Sequence, residues 1–185
     1  MKIEDGKGKN GDMSVSYAQR GNVSSKSKNR LFYISRDDGL AFNAVMPSFS
    51  AAAGEYVFYL KNTSPTKNLM IDHIEYHSLQ AVHWKVWQVT GTAAAGTAIT
   101  PANLNLGTGI PAEATCIGGA ATITGLTLGN QLGTHRTEAT GEGEMDWGGG
   151  LILSPNTAIM VEYDTGTTGL CEIDCLFHFE TIGAT

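Results

Sequence analysis

The side chains best suited to hold a metal ion are His73, Glu75 and His77. On a strand they fall at i, i+2 and i+4, so two imidazoles and a carboxylate share one face and could converge on zinc or another divalent cation. Tyr76 and Leu79 add no further ligand, and a solvated or interface-facing polar row has the same spacing. The run GEGEMDWGGG supplies Glu142, Glu144 and Asp146, residues suited to calcium or to two-carboxylate glycoside hydrolysis. A flexible acidic loop tip accounts for them without any chemistry. No resident metal and no cofactor are expected.

Cys171 and Cys175 form a C-x3-C pair. On a strand four residues span about 13 Å, well beyond the roughly 6 Å between Cα atoms that a disulfide requires. They are read as small core thiols beside Ile173, Phe177 and Phe179. Cys116 is placed in a polar loop without a histidine partner. The chain contains no G-x-S-x-G, no phosphate-binding G-x-x-x-x-G-K-[ST] and no dinucleotide fingerprint at a strand–helix junction. Trp84, Trp87 and Trp147 could form a sugar platform, although core or subunit contact is the reading preferred for at least two of them. The chain is expected not to be an enzyme.

These residues sit on elements with period-2 patterning. Residues 55–62, 68–79 and 81–91 read as three strands of a meander, with a hairpin turn at SPTK. In 81–91 Trp84 and Val86 share one face, and Trp87 and Val89 share the other. Residues 92–150 look looser, with short strands at 97–100 and 121–128 among glycine-rich connections. A single helical turn is the most expected near 101–105 or 111–116. In the last strand Cys171, Ile173, Cys175, Phe177 and Phe179 face one way; Glu172, Asp174, His178 and Glu180 face the other. Short strands with turns every 8–12 residues predict an all-β, jelly-roll-like antiparallel β-sandwich. At 185 residues the chain can bury one core without disulfides.

Residues 1–35 read differently, as an extended basic N-terminal arm joined to a sandwich domain at 36–185. DGKGKNGD and GNVSSKSKN offer almost nothing to bury. Met13, Val15 and Tyr17 alternate with polar residues and are suited to strand addition at a neighbour's sheet edge, and LFYIS (31–35) reads as the first ordered strand. Residues 1–36 carry a net +5 and the remainder −11, against −6 overall. The arm is therefore expected to dock on an acidic protein surface, through Lys2, Lys7, Lys9, Arg20, Lys26, Lys28 and Arg30, rather than on nucleic acid. No apolar run is long enough for a membrane-spanning helix, and the opening residues lack the apolar core of a signal peptide. The protein is expected to be made in the cytoplasm and to contact no membrane.

Three stretches together resemble a known family. The opening MKIEDGKGKNGDMSVSYAQRGNVSSKSKNRLFYIS resembles the start of small phage virion proteins. The central VWQVTGTAAAGTAITPANLNLGTG, with Thr100, Pro101 and Asn103 to Asn105, resembles their strand, glycine-rich turn and Asn-Leu-Asn loop. The closing GGGLILSPNTAIMVEYDTGTTGLCEIDCLFHFE resembles their final hairpin and aromatic strand. These features resemble the jelly-roll decoration, or cement, proteins of tailed-phage heads. The resemblance implies a non-catalytic virion subunit, commonly trimeric, that binds the major capsid protein on the assembled shell. It implies no catalytic residues. Related jelly rolls form fibre or knob domains, so a carbohydrate- or host-receptor-binding module is the alternative. Trp84 or Trp87, together with the row His73, Glu75 and His77, is the expected contact between subunits.

Overall fold

The computed structural model describes residues 2–4, 10–12, 34–119 and 122–182. The first two stretches are short strands, β1 (Lys2–Glu4) and β2 (Asn10–Asp12), paired antiparallel with Ile3 opposite Gly11. Met13, Val15 and Tyr17 lie outside the described residues, as do Lys7, Lys9, Arg20, Lys26, Lys28 and Arg30. The strand expected at 31–35 is corrected where it is described: Ile34–Asp38 is one π-helical turn. The Leu40 N–H donates to the Ile34 carbonyl, which folds this turn against the start of the next strand.

Two antiparallel sheets then pack face to face. One holds β3 (Ala41–Ala51), β5 (Lys67–Ser78), β8 (Ala102–Asn103), β11 (Gly141–Leu153) and β13 (Gly169–Thr181). The other holds β4 (Glu55–Asn62), β6 (Val82–Ala94), β7 (Thr97–Ile99), β9 (Ala114–Gly118), β10 (Thr124–Thr137) and β12 (Ala158–Asp164). Their orders are β11-β5-β13-β3-β8 and β10-β6-β12-β4-β9-β7. With the short β7, β8 and β9 set aside, the long strands alternate sheets along the chain except at β6 and β10, which pair within the six-stranded sheet; this is the jelly-roll connectivity. The sandwich is thus borne out, but the meander is not. β4, β5 and β6 alternate between sheets, and β5 pairs with β11 and β13 rather than with its chain neighbours. Alternation fixes which side chains share a face; it says nothing about which strand lies alongside.

The β4–β5 crossing is held by Asn62, whose side chain is buried yet satisfied. Its amide donates to the Lys67 and Leu153 carbonyls, both at 2.8 Å, and its side-chain oxygen accepts the Ser64 N–H at 2.9 Å. An unpaired amide there would cost a few kcal/mol. SPTK therefore opens a crossover between sheets instead of a hairpin.

The inner faces form the main core. Phe42, Phe58, Leu60, Ile71, Ile74, Trp84, Tyr163, Phe177 and Phe179 are buried together. Trp84 stacks on Tyr76 with ring centroids 4.9 Å apart and meets Tyr163 edge-on at 5.3 Å. Its indole N–H donates to the Thr137 hydroxyl at 3.0 Å. Cys171 and Cys175 face this core, as expected, and all three cysteines are free. Cys116 is not in a loop: it lies on β9 and faces the same core.

A second apolar cluster lies on the outer side of the six-stranded sheet. It comprises Tyr59, Val89, Ile123, Ala158 and Met160, with Tyr56, Trp87, Ala93, Ile117 and Leu126 against it. The chain itself supplies the cover. The end of β6 pairs with the start of β10, then turns at Ala95–Gly96 into β7, which lies at the far edge of the same sheet. This ribbon bends at two glycines with positive φ, Gly91 at 106° and Gly125 at 78°. A Cβ on Gly91 would stand 2.6 Å from the Gly125 carbonyl, and one on Gly125 would stand 2.5 Å from the Thr92 carbonyl. Only glycine allows so close a backbone approach.

The centre of the chain is more regular than its composition suggests. β10 and β11 form a long hairpin whose two strands belong to different sheets and close one side of the sandwich. The helical turns expected at 101–105 and 111–116 are absent, with β8 and β9 in those regions.

Candidate functional site

The outward side chains of β5, β11 and β13 form one acidic face. Ile74, Tyr76, Cys171, Ile173 and Cys175 point inward and are buried, so the alternating residues point away from the core. Across β11, β5 and β13 the register sets Glu142, His77 and Glu172 in one row and Glu144, Glu75 and Asp174 in the next. Asp146 stands opposite His73. Six carboxylates therefore share a face with two histidines. The run GEGEMDWGGG is not a loop tip but the first part of β11, and strand pairing holds its acids in place.

A shallow concavity of about 570 Å³ opens on this face, its lining including Glu75, His77, Glu142, Glu144, Glu172 and Asp174. Glu144, Glu75 and Asp174 are directly opposed across three strands, an arrangement that is unfavourable for like charges at Cβ separations of about 5 Å. Asp174 registers this: burial, then Glu75, then Glu172 push its carboxyl above the ordinary aspartate range. Within the rows His73 Nε2 lies 3.4 Å from the Glu75 carboxylate.

His73, Glu75 and His77 are co-facial, as the spacing predicts. They do not assemble a ligand set, and among the described residues no group of three or more His, Cys, Asp or Glu is placed to hold a metal ion. Their position within six carboxylates also makes them a poor contact between two copies, because each copy would bring the same negative charge.

The tryptophans separate. Trp84 is fully buried in the main core, which withdraws it from any subunit contact. Trp87 lies on the opposite face, half-buried, with its indole N–H donating to the Glu162 carboxylate at 2.7 Å. Glu162 and Asp164 also pair with Lys85, at 3.7 and 2.6 Å. Trp147 packs against the main core. The three indoles thus belong to different environments and form no shared sugar platform.

Sequence reasoning missed one group. His178 is buried at 3% exposure, with Nδ1 2.8 Å from Asp72 and Nε2 3.2 Å from Glu180. Gly149, in the bulged part of β11, covers it: a Cβ there would stand 3.4 Å from the imidazole. Both ring nitrogens face carboxylate oxygens, so the imidazole bridges Asp72 and Glu180. No local signal reveals this cluster, since Asp72 and His178 are 106 residues apart.

The thiols offer no nucleophile. Burial pushes Cys116 and Cys171 up to about 12, and it raises Cys175 well above the ordinary thiol value. The chain matches no protein-family model, no curated protein and no solved structure.

Proposed function

We propose that this protein is a non-enzymatic phage virion component, a decoration subunit that binds the major capsid protein of the assembled shell and stabilises it. The observation that carries the reading is the segregation of charge. Eight of the twelve Lys and Arg residues lie within residues 1–36. Of the four in the body, Lys67 pairs with Glu113, Lys85 with Glu162 and Asp164, and Arg136 with Glu138. Lys61 lies on β4 in the six-stranded sheet. Positive charge is thus concentrated in the arm, and an acidic shell surface fits it.

The jelly-roll body and the resemblance of three stretches to phage decoration proteins support the same reading. Repeated modest contacts suffice on a shell, because avidity multiplies them. Self-association, three-fold by the same resemblance, is assigned to the Trp87 side of the six-stranded sheet. Leu128, 40% exposed and opposite Val89, extends the apolar surface there.

The test is co-sedimentation with purified capsids. Full-length protein should bind, should raise the temperature at which the shells rupture, and should dissociate as salt rises. Protein lacking residues 1–30 should stay folded and fail to bind. Equal binding by the truncated form would sink the arm's role, and no binding by the full chain would sink the decoration reading. Electron microscopy of virions would give copy number and position.

A further inference from the structure

We propose that the acidic face of β11, β5 and β13 is the docking surface for the basic segment at residues 20–30 of the same chain. The face carries Glu75, Glu142, Glu144, Asp146, Glu172 and Asp174 outward. Among the described residues the only Lys or Arg on its three strands is Lys67, at the start of β5 and paired with Glu113. Directly opposed carboxylates repel, and among the described residues no Lys or Arg pairs with these six. The segment supplies Arg20, Lys26, Lys28 and Arg30 without a single acid. The segment is thus complementary in charge to the acidic rows.

Chain length favours the same copy as the source. The described body begins at Ile34, whose carbonyl accepts from Leu40 next to the start of β3. β3 lies beside β13 in the acidic sheet, with Ala41 opposite His178. From His178 back to Asp174 is four residues of strand, about 13 Å. From Ile34 back to Lys28 is six residues, a reach of about 20 Å. The reach of the segment is thus comparable with the length of the acidic rows, and a tethered cation competes at high effective concentration against any second copy. On a shell the arm would exchange this face for an acidic partner, so attachment would be a competition between two acidic surfaces. The docking itself involves no capsid and stands or falls apart from the attachment reading.

The experiment is zero-length carbodiimide cross-linking of the full chain alone, followed by peptide mapping. Lys26 and Lys28 should couple to Glu75, Glu144, Glu172 or Asp174 at low salt, and the yield should fall severalfold at high salt as screening grows. Mixing unlabelled and isotope-labelled chains should give no mixed-isotope pairs. The triple variant Glu75→Gln, Glu172→Gln, Asp174→Asn should lower coupling to the remaining Glu142 and Glu144 severalfold; the salt series on the natural sequence gives the same answer if that variant does not fold. Three results would overturn the proposal: no coupling to the face, equal coupling to Glu162 and Asp164 on the opposite sheet, or mixed-isotope pairs, which would assign the face to a second copy.

Discussion

The two sheets are alike on their inner faces and opposite on their outer ones. Outside the six-stranded sheet, Tyr59, Val89, Ala158 and Met160 are covered by a ribbon of the chain's own backbone. Outside the five-stranded sheet, three strands present carboxylates in register around a shallow concavity. One face is largely covered within the fold, whereas the other carries carboxylates that pair with no Lys or Arg among the described residues. The covered face contributes stability through packing, while the bare face lowers stability slightly and keeps a surface for basic groups.

Substitutions should separate the two faces. Met160→Ala, on the covered face, should cost about 2–5 kcal/mol, as large-to-small changes in a packed cluster do. Chemical denaturation would measure it, and a cost below about 1 kcal/mol would show that the ribbon covers nothing tightly. Gly91→Ala should cost about 1–3 kcal/mol, because it adds a Cβ at positive φ against the Gly125 carbonyl. An unchanged melting temperature would show that the ribbon can move aside.

The bare face should respond in the opposite direction. Asp174→Asn should stabilise at neutral pH by about 0.5 kcal/mol, since it removes one of three opposed charges. Burial, Glu75 and Glu172 hold the Asp174 pKa above its unfolded value, so the folded state prefers the proton. The stability linked to that proton is fully present below the unfolded pKa of about 4 and is lost as pH rises through the folded value. The advantage of Asp174→Asn over the natural sequence should therefore shrink as pH falls toward 4. A constant difference across pH would contradict the charge argument. The smallest effect concerns the thiols: burial raises all three, so the folded protein should react with a thiol reagent only through unfolding. Fast labelling of any cysteine under native conditions would place it outside the core.

The faces of individual strands were legible in the sequence wherever apolar residues alternate. In β13 Cys171, Ile173, Cys175, Phe177 and Phe179 were all placed correctly on one face, and the opposite faces of Trp84 and Trp87 followed from their odd spacing. β10 and β11 were largely illegible. As edge strands on a glycine-rich hairpin they bury few side chains, so their letters read as loop; even so, β11 holds three of the six carboxylates of the acidic face. The acidic face was only half visible: His73, Glu75 and His77 were recognised as one row, but its neighbours in β11 and β13 were not.

Local chemistry thus determined period, facing and the separation of a basic arm from an acidic body, because each depends on residues within a few positions. Tertiary structure alone decided which strands lie side by side, since strands of a jelly roll pair with others far along the chain. That pairing sets Glu144 opposite Glu75 and Asp174 and buries His178 between Asp72 and Glu180. It also folds the β6–β10 ribbon over Met160, a contact that requires two glycines placed 34 residues apart to meet backbone to backbone.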